Sequence, residues 1–240
     1  MIKRALLSFI LFLFQQSIAF AQSDAESPGL LPKGKFLFFN YMGFSPGDFG
    51  SGITISPSLR YGLSDRFEIR INQPLLYTHS NIEGINSDAF GLGSLGLGTK
   101  IRLIDEDGWI PAIGAYTQIN LPTGTGEFHS DKVSYLYRFS FRNTLSERVS
   151  LTYNIGGIWD GSSWAPNYLY NLVLDVALTP RVAAYAELYG LLPQGEKNQH
   201  NINVGGYYTF TNQFSLAAGT TFDLITGKPG VYSVMLIFNF

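Results

Sequence analysis

The sequence has no cysteine, few charged residues and, beyond its N-terminal region, no long apolar run. The missing cysteines exclude disulfides and a lipoprotein-type cleavage site. Charged residues are 14% of the chain, against roughly 25% in soluble domains. No later stretch approaches the about 20 apolar residues that a membrane-spanning helix needs. The formal net charge of -2 gives no reason to expect a nucleic-acid partner.

Aromatic residues and glycine are abundant instead. Phe, Tyr and Trp make up 15% of the chain, and glycine occurs 26 times. This composition, without a long apolar run, predicts lipid-facing β-strands, because strands cross a bilayer with much shorter segments than helices do. A closed barrel also satisfies its backbone hydrogen bonds internally, so it does not depend on disulfides.

The N-terminus predicts export. Lys3 and Arg4 form a positively charged start, residues 5–14 are apolar, and Ala19-Phe20-Ala21 is a small-x-small cleavage site. These are the three parts of a secretory signal peptide. We therefore expect residues 1–21 to be removed. Residues 22–34 are expected to form a short periplasmic lead-in, too short to fold as a plug.

Strand-like segments of about ten residues recur along the remaining chain, residues 35–240. Their number is even, as single-chain bacterial outer-membrane barrels require. The gaps alternate between tight polar turns and longer loops, including a long loop expected at 80–91, which is how such barrels are built. The twelve predicted strands span 35–43, 52–62, 67–79, 92–104, 109–121, 133–143, 149–160, 168–178, 182–192, 201–210, 214–224 and 231–240.

Alternation along these strands predicts an all-β fold, a transmembrane antiparallel up-and-down β-barrel. In segment 214–224, Phe214 and Leu216 fall on one side, and Ser215 and Thr221 fall on the other. A soluble ligand-binding barrel would turn its apolar side inward. Aromatic residues beside the predicted periplasmic turns indicate a membrane-interface girdle instead, formed by Tyr61, Phe67, Trp109, Phe210, Phe214, Phe238 and Phe240.

The chain ends on an apolar strand. In segment 231–240, Tyr232, Val234, Leu236, Phe238 and Phe240 share one side, since side chains alternate with period two. An exposed apolar edge strand invites aggregation, and barrel closure removes that edge. The terminal aromatic resembles the signal that the barrel-assembly machinery reads in outer-membrane barrels, so Phe240 and Phe238 are the expected assembly signal.

A glycine-rich stretch begins at Gly91 and fits the G-x-G-x-x-G pattern of dinucleotide sites. That pattern requires a following helix, whereas this stretch runs directly into a predicted strand. The segment GLGSLGLGTKIRL from Gly91, an acidic turn and INLPTG ending at Gly124 resembles the outer-membrane family named for the meta-pathway of phenol degradation. The family's motif commonly has Asp where this chain has Ser94. The resemblance implies a channel or transporter for small molecules, aromatic ones included, and it assigns no catalytic residue.

Inward-facing ionisable residues are the candidate functional groups. Charges of both signs can line a water-filled pore and select its solutes, or they can pair and fill the lumen. Basic residues predominate on the earlier predicted strands and acidic residues on the later ones. The candidates are Arg60, Glu68, Arg70, Lys100, Arg102, Arg138, Arg142, Asp175, Glu187 and Asp223.

No enzymatic or metal motif emerges. A phospholipase-like barrel needs His and Ser on the same strand face, whereas His79 and His129 each precede a serine directly and so face away from it. The third histidine, His200, also lies near a predicted loop, and the spacing of the three does not assemble a metal site. We expect no enzyme, no cofactor and no metal.

The sequence therefore predicts an exported outer-membrane barrel that contacts outer-membrane lipid and the barrel-assembly machinery. Its expected function is a channel or transporter for small molecules, with aromatic or hydrophobic solutes among them. The alternative is a structural or adhesive barrel with an occluded lumen and functional extracellular loops. A continuous water path through the lumen would favour the first interpretation, and complete filling by the inward charges would favour the second.

Overall fold

The computed structural model describes residues 25–82 and 84–240, and the predicted signal peptide lies outside them. In the described chain, antiparallel strands dominate, and the 3-10 helix Gly126–Phe128 is the one helical element, so no helix there is long and apolar enough to cross a membrane. The strands are β1 Phe36–Gly47, β2 Gly50–Ser64, β3 Phe67–Asn72, β4 Leu75–Ile82, β5 Ile85–Leu92, β6 Gly96–Ile104, β7 Ala112–Asn120, β8 Ser134–Thr144, β9 Val149–Trp159, β10 Asn167–Ala177, β11 Val182–Leu192, β12 Gln199–Thr209, β13 Phe214–Asp223 and β14 Pro229–Asn239.

The sheet closes into a barrel because β1 pairs with both β2 and β14. Strands β3 and β4 pair with successive parts of β2, so they are two halves of one wall strand. Strands β6 and β5 pair with β3 and β4 in the same way. Counted so, the barrel has twelve strands, which confirms the predicted fold and strand number. Pro74 lies at the first interruption, where its missing N–H breaks the hydrogen-bond ladder.

Two regions that fall between predicted strands and were expected as loops, 44–51 and 80–91, are mostly strand instead. Residues 80–91 belong mostly to the hairpin of β4 and β5, which pairs from Leu75 opposite Leu92 to Ile82 opposite Ile85. Strands β1 and β2 likewise extend to Gly47 and Gly50. Beyond the hydrocarbon layer both faces of a strand meet water, so the alternation on which the prediction depended is weak there.

The wall is apolar outside and polar inside. On β2, Thr54, Ser56 and Ser58 are 7%, 4% and 6% exposed, whereas Ile53 and Ile55 are 40% and 37% exposed. Successive side chains of a strand point to opposite faces, so the polar residues face the lumen. This polarity is the reverse of a soluble barrel and is that of a wall bathed in lipid.

Aromatic rings at the predicted periplasmic end form a continuous outer band. The Phe214 ring stacks on Phe238 at 4.7 Å between centroids and on Phe210 at 5.1 Å. Phe210 also contacts Tyr208 edge-on at 4.6 Å. These contacts join β12, β13 and β14 in one of the two girdles expected at a membrane interface.

The lipid-facing assignment predicts a depth-dependent cost of charge. We expect Leu172→Arg, at the middle of β10, to lower the free energy of unfolding by ~2–4 kcal/mol, because the charge lies near the bilayer midplane. Leu178→Arg, just beyond the same strand, should cost about 0–1 kcal/mol at the interface. Denaturant titration of the protein folded into lipid vesicles measures both. Equal costs at the two positions would contradict the assigned membrane belt.

Candidate functional site in the barrel lumen

Residues 25–32, which we call the luminal segment, run inside the barrel. Glu26 is 9% exposed, and Pro28 is fully buried. The Glu26 backbone N–H donates to Asn154 Oδ1 over 2.7 Å, and Asn154 Nδ2 donates to the Glu26 carbonyl over 2.8 Å. Part of the region expected to be a periplasmic lead-in therefore lies inside the barrel, surrounded by the wall. It needs no fold of its own, because luminal side chains supply its hydrogen bonds.

The luminal segment leaves the barrel through a tight turn into β1. The Leu31 N–H donates to Glu68 Oε2 over 3.0 Å, and the Gly34 N–H donates to the Gly62 carbonyl over 2.8 Å. Gly34 has φ +80°, which favours glycine. A Cβ at Gly62 would collide with the carbonyl oxygen of Pro32. Glycine at position 62 thus allows the luminal segment to pack directly against the wall.

One ionisable residue of the luminal segment meets four of the wall. We call these five the luminal charge cluster: Glu26, Arg60, Glu68, Arg70 and Lys100. The Arg70 guanidinium forks across the Glu26 carboxylate, with Nη1–Oε1 at 2.5 Å and Nη2–Oε2 at 3.1 Å. Its Nε donates to Glu68 Oε1 over 2.7 Å, and Lys100 Nζ lies 3.2 Å from Glu26 Oε2. The Arg70 and Lys100 side chains are 3% and 5% exposed, so the pairing occurs almost out of water.

Aromatic rings hold the two arginines of the cluster in place. The Arg70 guanidinium lies 4.7 Å above the Tyr116 ring centre, and Arg60 lies 4.6 Å above that of Phe39. Both are cation–π geometries. The Tyr116 hydroxyl donates to Gln118 Oε1 over 2.5 Å, which fixes the platform below Arg70.

The Glu26 carboxyl is ionised in this cluster. Burial by itself raises its pKa, but the positive charges of Arg70, Lys100 and Arg60 and the hydrogen bonds from Arg70 outweigh burial. The pKa of Glu26 is therefore well below its usual range. A depressed pKa stabilises the folded state above the unfolded pKa, and this contribution is lost as the pH falls through the folded one. The segment should consequently stay in place under mildly acidic conditions.

A cavity of about 140 Å³ lies on the other side of the luminal segment. Its lining includes Ala25 and Ser27 of the segment, and Arg142, Asp175 and Glu187 of the wall. The Glu187 carboxylate accepts hydrogen bonds from Asn171 Nδ2 over 2.6 Å and from Asn203 Nδ2 over 3.2 Å. The rest of the cavity lining includes aliphatic and aromatic side chains, among them Val173, Tyr185, Tyr207 and Met235.

The other candidates lie apart from these two groups. Arg138 is half-buried on the lumen face of β8. Arg102 Nη1 lies 3.5 Å from Asp105 Oδ1 at the turn after β6, where the arginine side chain is 34% exposed. The Asp223 carboxylate accepts the backbone N–H groups of Thr226 and Ile225 in the loop after β13. Asp223 thus shapes a loop rather than the mid-lumen network.

The two terminal aromatics occupy different positions. Phe238 is part of the stacked outer band through Phe214. Phe240 is 64% exposed. The Phe240 N–H donates to the Phe36 carbonyl over 2.9 Å, and the Phe36 N–H donates to the Phe240 carbonyl over 3.4 Å. The last residue therefore extends the seam that closes the barrel between β14 and β1.

Glu26 was not among the functional residues predicted from the sequence. Its position lies outside every predicted strand, so alternation assigned it no face. A signal was nevertheless present, because inward cations predominated on the early strands while Glu68 was the one predicted anion among them. Buried charges require partners, and that imbalance called for another carboxylate.

The histidines lie at separate places. His79 Nδ1 contacts Asp88 at 2.9 Å, His200 Nδ1 contacts the Tyr170 hydroxyl at 2.8 Å, and His129 contacts the Gly124 carbonyl at 2.9 Å. Within residues 25–82 and 84–240, no three His, Cys, Asp or Glu side chains group as metal ligands would.

These features define the class of protein. A closed twelve-stranded barrel with a lipid-facing exterior and a polar lumen is an outer-membrane β-barrel. Over residues 37–228 the chain matches the family described as "Putative MetA-pathway of phenol degradation", and it belongs to that family. No curated protein matches the chain.

Solved outer-membrane barrels share the fold. The chain is similar to the COG4313 outer membrane channel from Pseudomonas putida F1, with 17% identity, a TM-score of 0.69, and coverage of 91% of this chain and 100% of that chain. The KdgM porin in complex with disordered oligogalacturonate gives 11% identity, a TM-score of 0.55, and coverage of 86% and 99%. The transport unit of the autotransporter AIDA-I from Escherichia coli gives 9% identity, a TM-score of 0.52, and coverage of 94% of this chain and 96% of that chain.

Proposed function

We propose that this protein is an outer-membrane channel for small molecules, aromatic or hydrophobic solutes among them, and that the luminal segment obstructs its lumen. The observation that carries the proposal is a chain segment lying in mid-lumen without belonging to the wall. The family's link to phenol degradation supports the solute class, and the fold shared with an outer membrane channel supports the channel function. We assign no catalytic residue.

The wall does not depend on the luminal segment for closure. The β1–β14 seam pairs from Leu37 opposite Asn239 to Phe44 opposite Tyr232, and β1 also pairs with β2 along its length. The segment attaches through side-chain contacts and a turn. Its departure would therefore open space inside a barrel whose hydrogen-bond ladder stays complete.

Export belongs to the same proposal. Residues 1–21 would act as a cleaved signal peptide, because a charged start, an apolar run and a small-x-small site occur in the required order. Cleavage there leaves a new amino terminus three residues before Ala25. Ala25, which lines the luminal cavity, would then follow the mature N-terminus closely in sequence, and the barrel-assembly machinery would insert the wall.

A specific observation also favours the alternative, an occluded barrel whose extracellular loops carry the function. The luminal side chains of Asn171, Glu187 and Asn203 are hydrogen-bonded to one another, so wall residues alone fill part of the interior. On this alternative, packing would fill the lumen even without the luminal segment.

Conductance separates the two functions. Deleting residues 25–31 while keeping the signal peptide should raise single-channel conductance in planar bilayers severalfold over wild type. The open lumen should prefer anions, because removing Glu26 leaves three cations of the cluster facing Glu68 alone. Glu26→Gln, which keeps the chain length, should show more frequent opening. A folded deletion variant that conducts no better than wild type would support the occluded barrel instead.

A further inference from the structure

The luminal charge cluster is built as a carboxylate-binding site. A guanidinium that forks across both oxygens of a carboxylate is the strongest common geometry for recognising that group. Arg70 makes this contact with Glu26 while Lys100 approaches the second oxygen. The carboxylate in the site belongs to a segment that is not part of the wall. Glu26 therefore occupies the position that an external carboxylate would take.

The site keeps its shape by contacts that do not involve Glu26. Glu68 accepts the Arg70 Nε–H, and the Tyr116 ring lies under the guanidinium. Both partners come from the wall, on β3 and β7. If Glu26 leaves, Arg70 and Lys100 carry one positive charge in excess of the local carboxylate, even without counting Arg60. Such a site attracts another anion, because fixed positive charge in a lumen favours anions.

The neighbouring cavity offers room for the rest of a small molecule. Ala25 and Ser27, on either side of Glu26, both line it. Its volume of about 140 Å³ is close to the roughly 150 Å³ of a cavity known to accept benzene. Val173, Tyr207 and Met235 supply apolar surface to it. If the segment leaves, the cavity and the space vacated by Glu26 become one, so a carboxylate bound at Arg70 has room for an attached ring.

We propose that Arg70 and Lys100 bind small organic carboxylates in competition with Glu26, and that this binding releases the luminal segment. The proposal rests on the proposed function, in which the segment obstructs the lumen. It adds the class of solute and the reason for opening. The charge of the solute replaces the charge of Glu26, so a carboxylate still pairs with Arg70 and Lys100 while the lumen opens. A neutral analogue cannot make that exchange.

A single introduced cysteine tests the release, because the chain has none of its own. Ser27→Cys places a thiol on the luminal segment, and a maleimide larger than the cavity should label it only when the segment leaves. Millimolar benzoate should accelerate labelling of the folded, detergent-solubilised protein roughly tenfold, the factor that mass action gives at about ten times the dissociation constant. Benzamide, which has the same ring and no charge, should leave the rate unchanged, as should chloride at equal ionic strength.

Two variants complete the test. Ser162→Cys, in an exposed loop, should label at the same rate with and without benzoate. Glu26→Gln combined with Ser27→Cys should label rapidly without any solute, since the internal competitor has lost its charge. Equal acceleration by benzoate and benzamide would overturn the carboxylate site, and so would no acceleration by benzoate.

Labelling does not require conduction, so the two proposals fail separately. If benzoate accelerates labelling but the deletion variant does not conduct, the carboxylate site stands and the channel function falls. If deletion raises conductance but benzoate does not change the labelling rate, the channel function is supported and the carboxylate site is excluded.

Discussion

Replacing Arg70 by Met is expected to lower the free energy of unfolding by about 3–5 kcal/mol, the usual cost of removing one partner from a buried ion pair. Arg70 holds Glu26 and Glu68 together, and its side chain is 3% exposed. Without the guanidinium both carboxylates remain in the lumen with reduced compensation. Denaturant titration of the folded barrel, followed by the loss of heat-modifiable mobility on gels, measures the effect.

A matched exposed pair provides the control. Arg66 Nη2 contacts Asp105 Oδ2 at 2.8 Å, but the two side chains are 60% and 57% exposed. Arg66→Met should therefore cost about 0–1 kcal/mol, as surface ion pairs do. Adding Glu26→Gln to Arg70→Met should recover part of the loss, because one of the two carboxylates that Arg70 had paired disappears. Equal costs for Arg66→Met and Arg70→Met would show that burial of the cluster is not what makes it stabilising.

The fold was predictable because lipid imposes a strict pattern on each strand. Outward positions such as Leu172 must be apolar, and inward positions such as Thr152 are free to be polar, so alternation marks the strands directly. The same argument explains where prediction failed. The hairpin of β4 and β5 carries Asp88 and Asn86 among apolar residues, and outside the membrane no solvent contrast between its faces enforces a pattern.

The candidate site was only half predictable. Alternation assigned Arg60, Glu68, Arg70 and Lys100 to the lumen, and these four meet in the luminal charge cluster. Alternation gives a face, however, and it does not give height along the barrel or the direction of a long side chain. Arg102 accordingly turns to Asp105 at the barrel end. The partner that neutralises the cluster comes from a segment without secondary structure, where no periodicity exists to read.

The second large effect concerns the last residue. We hypothesise that Phe240 is read by the barrel-assembly machinery, because the residue is 64% exposed although it completes the seam. A ring that packs little on its own barrel is available for recognition by another protein. Deleting Phe240 should lower the amount of folded, heat-modifiable protein in outer membranes severalfold, while the purified variant should still refold in detergent.

Phe240→Ala distinguishes recognition from seam closure. This variant keeps both backbone hydrogen bonds to Phe36 and removes only the ring. If the machinery reads the ring, Phe240→Ala should assemble as poorly as the deletion. If the seam matters instead, only the deletion should be impaired, because it loses two hydrogen bonds worth about 0.5–1.5 kcal/mol each. Wild-type levels of assembled Phe240→Ala protein would therefore exclude the ring as the assembly signal and leave the closing hydrogen bonds as the function of this residue.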